Sequence, residues 1–283
     1  MRVKKALCSS VTYARPIFGR VGKELEKSGM LLEVTRVVWF LFGLHLLVQP
    51  IYALLPTNLE LVGTLTIVFS STLFAFTHLL ATRGIRVALI LLGLCLVVAG
   101  GLEMLSVATG FPFGVYAYGT QLGFAVLGVP LLVPLCWQMM AHNAATLARL
   151  ARPQAAVLVA AGALVAWDVY LDPQMVRGGY WTWQRSSGDF VYAGIPLENY
   201  AGWFLTALII FAVYWRSTKP APLSKLSLFE ALPIFSFLWT WLGSAVVNIL
   251  WWGQPLVGLA GLVCMGAFAL PALQKMRQLK WGD

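Results

Sequence analysis

Runs of about 20 apolar residues recur along the whole of this chain, and they limit the folds open to it. A helix of that length crosses a hydrocarbon core of roughly 30 Å. Of the 283 residues, 59% are hydrophobic and only 11% are charged, whereas soluble domains carry roughly a quarter charged residues. The chain is therefore expected to be a polytopic membrane protein with a single transmembrane domain.

The hydropathy pattern predicts an all-α bundle of about eight transmembrane helices. Pro130 and Pro134 fall inside the fourth helix and predict a kink there. Residues 1–29 are basic but lack the apolar core of a signal peptide, so they are assigned to a cytoplasmic N-terminal segment that precedes a membrane domain at 30–283. The predicted helices are 34–55, 59–81, 86–109, 120–140, 153–171, 199–215, 228–250 and 255–273.

The Lys and Arg residues predict the orientation of the bundle, because short cytoplasmic segments of membrane proteins are enriched in them. Of the 20 basic residues, only Arg177 and Arg185 fall on the side opposite the N-terminus. Both termini are therefore expected in the cytoplasm, with the chain spanning the cell membrane several times. Topology also explains the net charge of +9, which does not indicate nucleic-acid binding.

Two connections on the predicted outer side are long and aromatic, at 110–119 and 173–198. Loops of this length between membrane helices are usually functional or disordered, and the aromatic content argues against disorder. Alternating aromatic residues around 185–189 predict a short β-hairpin with Asp189 in its turn. We expect both loops to contribute to a functional site.

Acidic residues gather at the outer helix ends, where charge is costly and tends to be functional. Asp168 and Asp172 are four residues apart and share a helix face, and Pro173 is expected to end that helix. Two carboxyls so close in a low dielectric do not both ionise easily, so one is expected to hold a proton near neutral pH. Helix capping or contact with interfacial water is the alternative interpretation.

Glu103 and Glu198 are further candidates. Glu103 follows two glycines that allow a helix or ligand to approach its carboxyl, although hydrogen bonding to loop amides is the simpler role. Glu198 opens the sixth helix and Glu60 the second, where the helix dipole alone favours an acid. An aromatic wall beside the acids would stabilise a carbocation. The candidate wall residues are Tyr116, Tyr118, Trp167, Trp181, Trp183 and Trp203.

Several kinds of chemistry lack their usual sequence signals. Three His residues are too few for the histidine-rich di-iron site of a membrane hydroxylase. The sequence contains no Gly-x-Gly-x-x-Gly fingerprint and no P-loop, and no pair of Cys residues indicates a disulfide or a metal site. An enzyme of this composition is expected to use carboxyls, aromatic rings and water, with no metal and no cofactor.

An ordered set of motifs between residues 102 and 203 resembles the integral-membrane carotenoid 1',2'-hydratase family of carotenoid biosynthesis. Each motif is short, and the specificity lies in their order along the chain. The matching residues are Glu103, Phe111-Pro112-Phe113-Gly114, Tyr116, Tyr118, Gly128-Val129-Pro130, Pro134, Trp137, Asp168, Asp172-Pro173, Gly179-Tyr180-Trp181-Thr182-Trp183, Gly194-Ile195-Pro196-Leu197-Glu198-Asn199-Tyr200 and Gly202-Trp203.

The resemblance implies hydration of the terminal C1'=C2' double bond of a ψ-end carotenoid, which is γ-carotene-like, lycopene-like or C50, to give a tertiary hydroxyl. It implies catalytic roles for Asp168, Asp172, Glu103 and Glu198, and a substrate-binding role for Asn199 beside the aromatic wall. The implied partners are the carotenoid, the lipid bilayer and other enzymes of the carotenoid pathway.

Two other functions remain open from the sequence. A membrane prenyltransferase would use Asp168 and Asp172 to bind a magnesium diphosphate, but the chain has no second aspartate-rich motif and the pair falls on the predicted outer side. A non-enzymatic carotenoid-binding or transport protein would use the same aromatic cavity.

Overall fold

The computed structural model describes residues 30–184, 191–223 and 225–279, and this part of the chain forms the predicted all-α bundle. The basic segment at 1–29 and the turn predicted at 185–189, Asp189 included, lie outside the described residues. The eight helices of the described residues are α1 Met30–Ala53, α2 Glu60–Arg83, α3 Ile85–Thr109, α4 Leu132–Ala151, α5 Ala156–Arg177, α6 Leu197–Thr218, α7 Leu228–Leu250 and α8 Pro255–Gln278.

Seven of the helices in the described ranges are long and apolar enough to cross a membrane, which makes this a multi-pass membrane protein. The remaining helix, α4, is 20 residues long and includes Gln138, His142 and Asn143, all of them buried. It packs against α2, α5, α7 and α8. Helix α4 is therefore the central element of the bundle, and its polar residues face other helices rather than lipid.

The fourth helix begins later than the sequence pattern predicts. Residues 120–131 form a 3-10 turn and a hairpin in which β2 (Ala125–Val126) pairs with β3 (Val129–Pro130). Leu127 and Gly128 join these strands with positive φ at both positions, which is the geometry of a tight hairpin turn. The predicted span 120–140 was wrong, because an apolar hairpin has the same composition as a helix.

The prolines of this region consequently do not kink a helix. Pro130 lies in β3, and Pro134 lies in the first turn of α4, where a missing backbone N–H costs no helical hydrogen bond. The predicted kink inside the fourth helix was therefore wrong as well.

Helix α5 continues through Pro173 and ends at Arg177, so the prediction that Pro173 ends it was wrong. Proline removes one backbone donor, and the helix resumes beyond it. The last turn is closed by the Gly178 N–H, which donates to the Gln174 carbonyl at 3.0 Å. Asp168 and Asp172 are thus held within one continuous helix, and the second outer loop begins at Gly178.

The two long outer loops pair with each other. Strand β1 (Tyr116–Tyr118) is antiparallel to β4 (Trp181–Trp183), while β5 (Val191–Tyr192) pairs with β6 (Ile195–Pro196). The aromatic alternation therefore marks a strand that pairs across loops, and not the local hairpin predicted around 185–189.

The first loop also packs tightly on α6. A Cβ atom at Gly202 would lie 2.5 Å from the Pro112 carbonyl oxygen, so only glycine allows this approach. The loop backbone is thereby fixed over the helix that carries Asn199.

Candidate active site

A pair of buried carboxyls lies on α5. Asp168 and Asp172 are 0% and 2% exposed, and their carboxyl groups are within hydrogen-bonding reach of each other. Asn199, in the first turn of α6, donates from Nδ2 to Asp168 Oδ2 at 3.1 Å and to Asp172 Oδ2 at 2.5 Å. A single amide therefore joins the two acids that the sequence pattern places on one helix face.

The remaining oxygens of the pair differ in their surroundings. Asp172 Oδ1 accepts a hydrogen bond from Trp181 Nε1 at 3.2 Å, so both oxygens of Asp172 have donors. Asp168 Oδ1 is buried and has no hydrogen-bond partner among the described residues. The deeper acid of the pair thus has one uncompensated oxygen.

Glu103 lies on α3, just after a π-helical turn at Cys95–Ala99, and is 3% exposed. Its Oε2 accepts hydrogen bonds from the Tyr116 hydroxyl and, at 2.8 Å, from the Tyr118 hydroxyl. Its Oε1 accepts one from Trp137 Nε1 at 3.3 Å. Glu103 therefore acts only as an acceptor in this arrangement.

The two phenols are well suited to remain donors. Burial, and then the nearby Glu103 carboxylate, raises the pKa of Tyr116 and of Tyr118 above the ordinary value. Both phenols consequently stay protonated over the physiological pH range and can hold the Glu103 carboxyl in place.

Aromatic rings from the two outer loops cover the acids. Tyr116 is opposite Trp183 and Tyr118 is opposite Trp181 in the β1–β4 pair. Residues two apart on a strand point to the same face, so the four rings form one surface. Beneath them, in the bundle, lies a second aromatic group, in which Trp137 stacks on Trp203 with ring centroids 4.0 Å apart and Trp167 meets Trp203 edge-on at 6.2 Å.

These groups enclose a small space that we call the acid pocket. Its volume is about 20 Å³, enough for roughly one water molecule. The pocket brings together predicted residues from α3, α5, α6 and both outer loops. Its polar and aromatic lining consists of Glu103, Tyr116, Tyr118, Trp137, Asp172, Trp181, Trp183, Asn199 and Trp203.

A much larger space, the apolar cavity, adjoins the acid pocket. It has a volume of about 890 Å³, its walls come from α1, α2, α4, α5 and α7, and Trp167 is part of its lining. Cys136 and Leu171 line both spaces. Leu54 and Leu242 at the cavity rim are 66% and 50% exposed on the outside of the bundle, so the cavity reaches the lipid-facing surface.

The charge of the cavity wall restricts its ligands. Within the described chain, no Asp, Glu, Lys or Arg lines the apolar cavity. Burying an unpaired charge in such a space is costly, so the cavity suits a neutral, largely hydrocarbon ligand.

The structure does not bring every predicted acid to the pocket. Glu198 is exposed and does not line the acid pocket. Its Oε1 lies close to Gly114 of the first outer loop, since a Cβ atom added at Gly114 would be 2.5 Å from it. Glu60 lies at the start of α2, 3.8 Å from Arg177. Both residues lie in the first turn of their helices, where the helix dipole alone favours an acid, as the sequence analysis noted.

Sequence reasoning missed four residues that line the pocket, namely Val133, Cys136, Trp137 and Leu171. Trp137 belongs to the recognised motif set, but the incorrect limits of the fourth helix hid its position beside Glu103. Cys136 and Leu171 resemble ordinary core residues in the sequence. The helix face that Leu171 shares with Trp167, four residues earlier, is the signal that could have indicated a second lined surface beside the acids.

Comparison with known proteins identifies similar sequences. The model of a family described as "Carotenoid biosynthesis protein" matches residues 62–268. A bisanhydrobacterioruberin hydratase from Haloarcula japonica is 31% identical over 121 residues, which are 40% of this chain and 40% of that protein. The alignment thus spans well under half the length of this curated relative. No solved structure matches the chain.

Proposed function

The chain belongs to the carotenoid biosynthesis protein family, and we propose that it is a carotenoid hydratase. The reaction is the addition of water across the terminal C1'=C2' double bond of a ψ-end group, giving a tertiary hydroxyl. One observation carries the proposal: a water-sized pocket lined by carboxyls opens beside a large, uncharged cavity that reaches the lipid. Such an arrangement delivers a hydrocarbon end group to an acid and a water molecule at the same place.

Proton donation is the first step of the proposed mechanism. Asp172 lines the acid pocket, and Asp168 lies behind it within hydrogen-bonding reach. A pair of adjacent buried carboxyls is more stable with one shared proton than with both groups ionised. Asp168 Oδ1, which has no hydrogen-bond donor in the described structure, can carry this proton when Asp172 is ionised. Transfer from Asp172 to C2' breaks the π bond and leaves a tertiary cation at C1'.

The cation is then stabilised by its surroundings. Trp137, Trp181 and Trp203 line the acid pocket, and their π-faces attract a positive charge by roughly 0.5–2 kcal/mol each, depending on geometry and desolvation. The Asp172 carboxylate left after proton transfer provides a further attraction. Charge developing on the substrate is therefore met by groups that are already in position.

Water capture completes the reaction. Glu103 also lines the pocket, and the two tyrosines and Trp137 fix its carboxyl. In the proposed mechanism a water molecule attacks C1' while Glu103 accepts one of its protons. That proton returns to the Asp168–Asp172 pair by way of the next water molecule to enter the pocket and replaces the proton added to carbon, so the enzyme ends in its starting state and no net proton is consumed.

Two features favour hydration over the prenyltransferase alternative. The apolar cavity, where an isoprenoid chain would lie, has no Lys or Arg within its described lining to meet a diphosphate. Within residues 30–184, 191–223 and 225–279, no group of three or more His, Cys, Asp or Glu is arranged to hold a metal ion. Asp168 and Asp172 are instead bonded to Asn199 and Trp181.

Expression in a host that makes only an unhydroxylated ψ-end carotenoid tests the proposal. Hydration predicts a new product heavier by one water and more polar on chromatography, formed with the unsubstituted chain and lost with Asp172→Asn. A prenylated product would support the prenyltransferase. Carotenoid that copurifies unchanged with both chains would indicate a binding protein.

A further inference from the structure

The apolar cavity is open to lipid along one stretch of its wall, between α1 and α7. Several residues of this stretch line the cavity and are also exposed on the outside of the bundle, so they form the rim of an opening that we call the lateral window. The proposed hydration mechanism assigns no role to them. The rim residues are Pro50 and Leu54 from α1 and its end, and Trp239, Leu242, Val246 and Trp251 from α7 and its end.

Two contacts bound the lateral window. On its inner side, Gln49 Nε2 of α1 donates to Thr240 Oγ1 of α7 at 3.3 Å. On its outer side, the ring of Tyr52 meets the ring of Trp252 edge-on, with centroids 6.0 Å apart. Among the described residues, no hydrogen bond or ring contact joins α1 to α7 between these two points. The window is therefore a gap with defined edges.

The lateral window lies at the same depth as the acid pocket. Arg177 ends α5, and its Cζ atom lies 4.6 Å from the ring centroid of Trp252, just after α7, so the outer ends of α5 and α7 lie side by side. Leu171 is six residues before the end of α5, and Gly243 is seven residues before the end of α7, a rise of roughly 10 Å in each case. An end group that enters through the window can therefore reach the acid without moving deeper into the membrane.

Gly243 leaves free space in the lateral window. It lies between the rim residues Leu242 and Val246 along α7 and lines the cavity itself. A Cβ atom added at Gly243 would meet nothing within 4 Å. Close packing therefore does not account for a glycine in the interior of this helix, where glycine is unfavourable. The missing side chain instead gives a ligand room to cross the wall.

The size of the cavity indicates what crosses there. Its volume of about 890 Å³ suits a site that encloses a drug-sized ligand, roughly 300–1,000 Å³, and a C40 or C50 carotenoid is longer than such a ligand. A conjugated polyene is rigid and cannot coil to fit inside. We propose that the ψ-end group and the adjoining part of the polyene lie in the apolar cavity, that the chain crosses the lateral window beside Gly243, and that the rest of the carotenoid stays in the lipid.

This inference rests on the proposed function only for the identity of the bound molecule. The competing explanation is that the window is a lipid-facing groove filled by acyl chains, while the carotenoid is bound elsewhere. The two explanations differ in which side chains touch the carotenoid.

Photocrosslinking of lycopene to the full chain in membranes separates them. A diazirine-bearing amino acid replaces either Leu242, at the window rim, or Leu47, which is 64% exposed on α1 but does not line the cavity. Lycopene is supplied in smaller amount than the protein, so that little of it is free in the lipid. We expect a lycopene adduct at Leu242 and only background at Leu47, because a diazirine reacts with the molecule that it touches.

Two glycine variants test the width of the window. Gly243→Phe places a ring in the opening, and we expect the lycopene that copurifies with the chain to fall about tenfold, the scale of one overpacked contact. Gly43→Phe is the matched control and should retain lycopene. Gly43 also has nothing within 4 Å of an added Cβ atom, but it does not line the cavity.

Equal crosslinking at Leu242 and Leu47 would overturn the inference, and this comparison does not depend on the folding of either glycine variant. Undiminished lycopene in Gly243→Phe would also overturn it. Because neither measurement requires turnover, a chain that hydrates a carotenoid but crosslinks equally at both positions would refute this inference and leave the proposed function standing. A chain that crosslinks only at Leu242 but hydrates nothing would do the reverse.

Discussion

Cys136 of α4 and Leu171 of α5 both line the acid pocket and the apolar cavity, so they form the boundary that a substrate end group must pass. Leu171 directly precedes Asp172 in α5. The side chain at position 171 is therefore expected to control how far an end group reaches toward the acid.

Leu171→Trp is predicted to block this boundary. Hydration should fall at least tenfold because the larger ring fills the approach to Asp172, while carotenoid still binds in the apolar cavity. Product formation and copurified carotenoid are measured on the same preparation. Leu171→Met is the control, since volume-conserving changes are well tolerated. Normal hydration by Leu171→Trp would show that substrate reaches the acids by another route.

Removing either acid of the pair is predicted to stop proton transfer. Asp168→Asn and Asp172→Asn keep the size and hydrogen bonding of the side chains but remove the acidic proton. Product should fall by roughly a hundredfold or more, the scale of lost general acid catalysis. Glu60→Gln should be nearly neutral, because Glu60 lies outside the pocket at the start of α2. Near-normal hydration by both Asp variants would transfer the acid role to Glu103.

Loss of one donor to Glu103 should have a smaller effect. Tyr118→Phe removes the hydroxyl that donates at 2.8 Å, and we expect the hydration rate to fall roughly tenfold, as for loss of a hydrogen bond to a charged group. Tyr192→Phe is the matched control, because the Tyr192 hydroxyl is buried without a partner in the described residues. Equal effects of the two changes would argue against the positioning role of Tyr118.

The contact between the first outer loop and α6 is predicted to limit stability. Gly202→Ala places a methyl group 2.5 Å from the Pro112 carbonyl oxygen, and such overpacking costs about 1–3 kcal/mol. Thermal unfolding in detergent should therefore shift downward. Gly101→Ala has nothing within 4 Å of the added atom and should leave the transition nearly unchanged. An equal transition in both variants would refute the tight contact.

The orientation predicted from the basic residues is tested by cysteine accessibility. Gln121 is exposed in the connection between α3 and α4, and Ser217 is exposed in the last turn of α6, at the opposite end of the bundle. With Cys8 replaced by Ser, a membrane-impermeant maleimide added outside intact cells should label Gln121→Cys and not Ser217→Cys. Labelling of Ser217→Cys alone would invert the proposed topology.

The sequence predicts this fold best where lipid determines composition. Seven apolar spans are recognisable because their outer faces meet hydrocarbon. Prediction fails at α4, because the neighbours of this helix are other helices. His142 and Asn143 interrupt the apolar run in the sequence, although the helix continues to Ala151. The apolar hairpin before Leu132, by contrast, has the composition of a helix. The hydropathy of a span indicates its contact with lipid, and a central helix has little such contact.

The candidate site is predictable in its local parts and not in its assembly. The spacing of Asp168 and Asp172 places them together, because helix periodicity is a local property. Nothing local indicates that β1 pairs with β4, nor that Asn199 reaches both acids from another helix. Glu198, the adjacent and more conspicuous residue, is exposed instead, since neighbouring positions in a helix point in different directions.

The origin of the new oxygen tests the central claim most directly. Membranes containing the chain are incubated with a ψ-end carotenoid in heavy-oxygen water, without molecular oxygen, and the product is analysed by mass spectrometry. Hydration predicts that product forms at an undiminished rate, that its hydroxyl carries the heavy isotope, and that Asp172→Asn forms almost none. Product that requires molecular oxygen, or that carries no label from water, would contradict the account.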